Sequence, residues 1–425
     1  MRSATARFAL ALALIASTAA LAFAGTIVVD VGGSGDYTTI QAGVDAANEG
    51  DVVLVFPGTY ADEGNRDIVF GEKNITLQSR DGAATTILRN NDAGTEHRIF
   101  YFNDTGQDTS CVIDGFTIRG GNLYGLGAGN GGGISINGLY NPPSPKFTNL
   151  IITGNYAPQG GGVYVNSPGG GCNPVFRNCH FDGNIANLAG GAFYCGNDGM
   201  PLIADCTFQD NNAQNQTGAG LFLSIGSDAT INRCWFEGNG AGEAGGAVSI
   251  YRASPEVTNT VFHYNVASGT SRDGYGGAIS CRSFCSPTFT NCTLVENSAA
   301  GEGGSIYVWE GCTPTFENTI IANTLPFGGS RGAAVASDGS GCATFDLCCV
   351  YSNAGGDDLC GTVIDSIVAN PMFCGLGSDD FTVDHASPCL PDNNPGGELI
   401  GAYGEGCNDS PVEETTWGAI KARYR

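Results

Sequence analysis

The 425-residue chain carries 42 Asp and Glu against 18 Lys and Arg, a formal net charge of −24. A chain this acidic lacks the basic surface that holds a phosphate backbone, so nucleic acid is excluded as a partner. A polyanionic glycan is disfavoured too, unless metal ions bridge the two.

Residues 1–24 read as a secretory signal peptide. Arg2 and Arg7 precede an apolar run from Phe8 to Phe23, and Ala22-Phe23-Ala24 is a small-residue cleavage signature. This predicts an exported protein, secreted or held at the cell surface. No other stretch approaches the 18 or so apolar residues of a membrane helix, so no membrane span is expected. Residues 25–60 form an N-terminal cap and first strand. Ile40, Val44 and Ala47 recur at helical spacing after Thr38 or Thr39, either of which suits an N-cap, and Gly50 stops the run. The apolar stretch from Val52 to Phe56 is then a buried strand. A solenoid end exposes core and strand edge, and this helix is placed to plug it. Residues 61–130 follow as irregular coils.

Residues 131–353 organise the chain as eight versions of one sentence. Each opens on small residues and an apolar pair, passes a loop, and closes on a Phe-x-Asn and then a further Asn. The opening apolar residues are Ile134, Val163, Phe193, Leu221, Val248, Ile279, Ile306 and Val335. The closing residues are Asn155, Asn184, Asn211, Asn239, Asn265, Asn297, Asn323 and Asn353. A fixed period of this length marks a solenoid, and alternation with period two inside each copy marks strands rather than helices. The expectation is an all-β, right-handed parallel β-helix of about eleven to thirteen coils. In the clearest copy, Phe289 and Asn291 point inward, followed at once by Cys292 and then Leu294. Two adjacent inward residues need a slip in the alternation, which a left-handed Asn291 supplies. Residues 354–407 read as a looser C-terminal coil and cap, and 408–425 as a tail.

Phe181-Asp182-Gly183-Asn184, Phe208-Gln209-Asp210-Asn211, Phe236-Glu237-Gly238-Asn239 and Phe262-His263-Tyr264-Asn265 resemble the repeat signature of polymorphic outer-membrane proteins. The wider resemblance is to the pectin-lyase-like family of right-handed parallel β-helices, a fold that hosts lyases, hydrolases, esterases and adhesins alike. The outer-membrane barrel of the polymorphic proteins has no counterpart in this sequence.

Of 17 cysteines, Cys179, Cys206, Cys234, Cys292 and Cys348 share one inward slot. In-register neighbours sit about 4.8 Å apart, longer than a disulfide spans, so these five are expected as free thiols. Cys285 with Cys312, Cys360 with Cys374, and Cys389 with Cys407 are the candidate disulfides. The catalytic sets of the resembling enzymes are missing: Asp379-Asp380 stands unaccompanied, and His180 and His263 fall in outward slots expected to face solvent. The one candidate cofactor is Ca²⁺, at Glu243, Asp273 and Glu302 near Arg282, since stacked hard oxygens suit it; the plainer reading is an acidic loop. Outward slots of the first strand carry Tyr164, Tyr194, Phe222, Tyr251, Tyr307 and Trp309. Such a strip either stacks on sugar rings or forms a structural ladder. The function expected is an adhesin-like binding module for a polysaccharide or cell-surface glycan, with an extracellular polysaccharide lyase or glycoside hydrolase as the alternative.

Overall fold

The computed structural model describes residues 24–61, 63–91, 96–124, 129–269, 273–327 and 333–407. The signal segment and the tail lie outside them. Short strands stack into four parallel sheets. In the order one coil visits them, sheet I has nine strands, sheet II thirteen, sheet III twelve and sheet IV six. The coil that contains Cys292 is representative: Ile279–Arg282 in sheet I, Thr288–Thr290 in sheet II, Thr293–Val295 in sheet III, Ser298–Ala299 in sheet IV. The molecule is a parallel β-helix, and the strand counts agree with the coil number that the repeat predicts.

The eight opening residues form one paired column on sheet I, from Ile134 to Val335, and all are buried. Phenylalanines stack face to face inside sheet III, Phe181 on Phe208 at 4.5 Å and Phe208 on Phe236 at 4.5 Å. Each fully buried ring contributes roughly 1.5–3 kcal/mol. Sheet IV, which the sequence reading did not separate, is lined by Ala157, Ala186, Ala213, Ala241, Ala267 and Ala299.

The bends explain the polar letters of the repeat. At the bend between sheets II and III, Asn149, Asn178, Asp205, Arg233, Asn259, Asn291, Asn318 and Leu347 all have φ between 48° and 57°. Asn291 is left-handed as expected but does not point inward: its amide reaches out to the Leu399 carbonyl at 2.7 Å. Turning the chain there is what lets Cys292 alone fill the inward slot. The two-Gly openings have a similar cause. Gly276 has φ 62°, and a Cβ on Gly277 would lie 2.3 Å from the Ser298 carbonyl oxygen, closer than atoms approach.

The closing asparagines form a buried ladder. Asn184 Nδ2 donates to Asn211 Oδ1 at 3.0 Å and to the Ile152 carbonyl at 2.7 Å, while its own Oδ1 accepts from the Asn155 backbone N–H and Nδ2. The pattern repeats through Asn211, Asn239 and Asn265 to Asn297. Asn323 departs from the expected column. It takes the left-handed bend position, with φ 53°, and Thr324 occupies the ladder slot. Asn suits both positions, so the repeat letter alone does not distinguish them.

At the N-terminal end, α1 (Ile40–Ala46) packs Ile40, Gly43 and Val44 close to Val29 and Val53. Thr39 is its N-cap residue without a side-chain cap bond; Asn65 Oδ1 accepts the Ile40 N–H instead, at 2.9 Å. Lys73 Nζ donates to the carbonyls of Val44 and Ala47 at the other end.

The five slot cysteines are buried and unbonded, as expected. All three of the expected disulfides are corrected. Cys374 is joined to Cys407; Cys360 is free and exposed, and Cys389 is free and buried. Cys285 and Cys312 face each other with sulfurs 2.9 Å apart but are not bonded.

The segment from Phe373 to Tyr403 does not continue the stack. It folds back over the outer face of sheet III, where Trp235, Val261, Val295 and Phe381 form a second apolar cluster outside the solenoid. His263 lies beneath it and is fully buried, so the solvent-facing assignment is wrong. Its slot does point outward, but the closing segment covers it. His180, on the same sheet, is half-buried.

Candidate functional site

The outer face of sheet I is left uncovered by the closing segment. Alternation sends the second and fourth residues of each strand outward. The second positions, in register, are Ser135, Tyr164, Tyr194, Phe222, Ser249, Ser280, Tyr307 and Ala336. The fourth include Asn166, Ser224, Tyr251 and Arg282. Trp309 follows on from Arg282, its N–H bonded to the Cys281 carbonyl.

The six predicted aromatics therefore share one face but divide into groups. Tyr164 stacks on Tyr194 at 5.0 Å, and Tyr194 on Phe222 at 5.2 Å. Two serines then interrupt the column, with Ser280 Oγ bonded to Ser249 Oγ at 3.0 Å. Tyr307 and Trp309 form the second group, 4.7 Å apart and close to perpendicular. Tyr251 stands between the groups on the neighbouring row.

The strip is less open than the sequence predicts. Tyr307 is only 5% exposed, and the other five are half-buried. Rings at this spacing cover one another's faces. Tyr275, from the loop before the Gly pair, adds a lid on Tyr307 and Trp309 at 4.7 and 5.0 Å. The sequence reading missed Tyr275 because it lies outside the strand alternation; its place directly before Gly276-Gly277 was the available signal. Burial pushes the phenols of Tyr194 and Tyr307 up to about 12. Both stay protonated as hydrogen-bond donors.

Three depressions run along this face. The first, about 440 Å³, is lined by Arg98, Tyr101, Asp104, Asn137, Tyr164 and Asn166 among others. The second, about 390 Å³, lies over Tyr194, Phe222, Ser249 and Tyr251 and ends at Glu243, Arg282 and Trp309. Those three residues also line the third depression, with Asp273, Tyr275 and Glu310. Arg282 Nε is 3.3 Å from Glu310 Oε1, and its guanidinium lies 5.6 Å from the Trp309 ring. Its planar guanidinium therefore lies beside the ring as a donor to the groove.

The three carboxylates expected to hold Ca²⁺ surround Tyr275 without converging. The Tyr275 hydroxyl donates to Asp273 Oδ2 at 3.1 Å. Burial first, then Asp273, Glu302 and Glu243, raise the pKa of that phenol. Glu243 is half-buried; Asp273 and Glu302 are exposed. Among the described residues, one set of three or more candidate ligands has its atoms within 4.8 Å of one another, and it is a different set, Glu237, His263 and Asp379.

The family model for the right-handed β-helix region matches residues 98–325, more than half of the chain. Among solved structures, pectate lyase Pel9A aligns with 90% of this chain and 98% of its own, at 13% identity and a TM-score of 0.50. A pectin methylesterase from carrot covers 73% of this chain and 85% of its own, at 12% identity and a TM-score of 0.30. At 13% identity the likeness to the pectate lyase is one of fold. No curated protein matches the chain.

Proposed function

This chain belongs to the right-handed β-helix family, and from that premise we propose that it is an exported or cell-surface binding module, adhesin-like, that holds a polysaccharide along the outer face of sheet I. The observation that carries the reading is the aromatic column Tyr164, Tyr194 and Phe222 leading to the neighbouring Arg282 and Trp309. Half-covered rings present an apolar edge for the flat face of a sugar, and the protonated phenols and Arg282 supply donors beside it. The acidic chain favours a neutral glycan over an anionic one. The signal segment supports export, and the likeness of the Phe-x-x-Asn repeats to polymorphic outer-membrane proteins supports display at a surface. A glycan array followed by calorimetry tests this. Each stacked ring is worth about 1 kcal/mol, so Trp309→Ala or Tyr194→Ala should weaken a neutral glycan several-fold to tenfold. Equal affinity in both variants, or no glycan bound at all, overturns it.

A polysaccharide lyase is the second reading, favoured by one observation: Glu243, Asp273 and Arg282 line a single depression. Glu243, Asp273 and Glu302 would have to close around Ca²⁺, which would then bind the substrate carboxylate, with Arg282 as the base. Its contact with Glu310, Nε to Oε1 at 3.3 Å, weighs against that role, because the guanidinium is already engaged by a carboxylate of the chain. Ultraviolet absorbance of unsaturated products, dependent on Ca²⁺ and lost in Arg282→Ala, would replace the binding reading with this one.

A further inference from the structure

We propose that Glu237, His263 and Asp379 form a divalent metal site of the Zn²⁺ class, which ties the closing segment to the flank of the solenoid. Glu237 and His263 are in register on neighbouring coils of sheet III, both pointing outward. Asp379 comes from the closing segment, 116 residues beyond His263 in the numbering, at the end of the short 3-10 turn Leu376–Ser378. One ligand atom from each residue lies within 4.8 Å of the other two.

The second, independent observation is the imidazole itself. His263 is fully buried, and its Nδ1 makes no hydrogen bond. A buried polar atom left so is costly. Asp379 Oδ1 lies 3.6 Å from Nδ1, too far for a hydrogen bond. Two ligands each about 2.0–2.1 Å from a tetrahedral ion stand roughly 3.3–3.4 Å apart, so a small inward movement completes the edge. The other ring nitrogen, Nε2, is 3.1 Å from Glu296 Oε2. A carboxylate on the far nitrogen is the usual means of fixing a ligating imidazole in one tautomer. Trp235 Nε1 donates to Glu237 Oε2 at 3.0 Å and orients that carboxylate in the same way. One imidazole and two carboxylates suit Zn²⁺ better than the all-oxygen shells of Ca²⁺.

The test uses the exported chain, purified without chelator and with Cys342 and Cys360, the exposed thiols, alkylated. Calorimetry with Zn²⁺, and visible spectroscopy with Co²⁺ as a probe of a tetrahedral N/O site, are run on the parent and four variants. The expected result is one equivalent of Zn²⁺ bound, slower proteolysis of the closing segment when it is bound, and loss of both in Asp379→Asn and His263→Gln. Glu296→Gln should weaken binding by about 10–100-fold. Glu256→Gln, exposed on sheet II, should bind as the parent does. Asp379 is at the surface, so its variant should fold even if His263→Gln does not. No stoichiometric Zn²⁺ in the parent, or undiminished binding in Asp379→Asn, overturns the proposal.

Discussion

Sheets I and III carry the same kind of outward residue, and the molecule treats them differently. On sheet III, Trp235 and His263 point away from the core and are fully enclosed, because Phe381 stacks on Trp235 at 5.4 Å and meets His263 edge-on at 4.9 Å. On sheet I, Tyr164, Tyr194 and Phe222 point away from the core with no segment over them among the described residues, and remain half-buried. An outward aromatic therefore does not identify a binding face by itself. What identifies it is whether the chain supplies its own cover, and on sheet III it does.

The comparison breaks first at the covered face. Phe381→Ala should cost about 3–5 kcal/mol of docking stability, as large-to-small changes at a buried ring do. Hydrogen exchange should rise across residues 373–406 and stay unchanged along sheet I; a small loss would mean that the cover is incidental. Next is Tyr307, on the open face but 5% exposed. Tyr307→Ala should lower the stability by about 3 kcal/mol in a urea melt, behaving like a covered residue. A near-neutral effect would restore the fully open strip that the sequence predicts.

The interior shared by both faces offers a reference. Burial pushes the thiols of Cys234, Cys292 and Cys348 up to about 12. In the unfolded chain they ionise near 9.0, the ordinary value. Between those limits the unfolded state loses protons that the native state keeps, so stability falls as pH rises. Each thiol should cost about 1.4 kcal/mol per pH unit above 9, and nothing below it. Urea midpoints at pH 8 and pH 10 check the sign. The smallest stability effect is expected at the open face: Trp309→Ala should change the melt by less than about 1 kcal/mol while weakening glycan. If it melts far lower and binds as before, sheet I is a structural ladder and the two faces are alike.

Much of the fold was legible in the repeat. Ile134 to Val335 align because a fixed period and a two-residue alternation leave few other arrangements. The five buried thiols followed from the same slot. Sheet IV was missed because pairs such as Asn212–Ala213 and Gly240–Ala241 carry no strand propensity; the stack, not the residues, makes them extended. Asn323 was misplaced because Asn serves both the ladder and the left-handed bend. The pairing of Cys374 with Cys407, and the burial of His263, depend on how residues after 370 return over the coils. No periodicity within a repeat records a contact made more than 100 residues away. For the same reason the groove aromatics were placed correctly on sheet I, while their mutual cover and the lid by Tyr275 were not foreseen.

The asparagine ladder has a polarity. From Asn155 to Asn265 each amide donates forward to the amide of the next coil, and the sixth, Asn297, accepts the last of these bonds. Each of these six residues directly precedes one of the six strands of sheet IV, and that sheet stops where Thr324 replaces the amide. The column thus works as a ruler: a whole coil ending in Asn could be spliced in or out with every amide still paired, while a break in the middle would strand a donor on one side and an acceptor on the other. Length in this molecule is adjustable only in units of one coil, and the residue that closes the coil sets that unit.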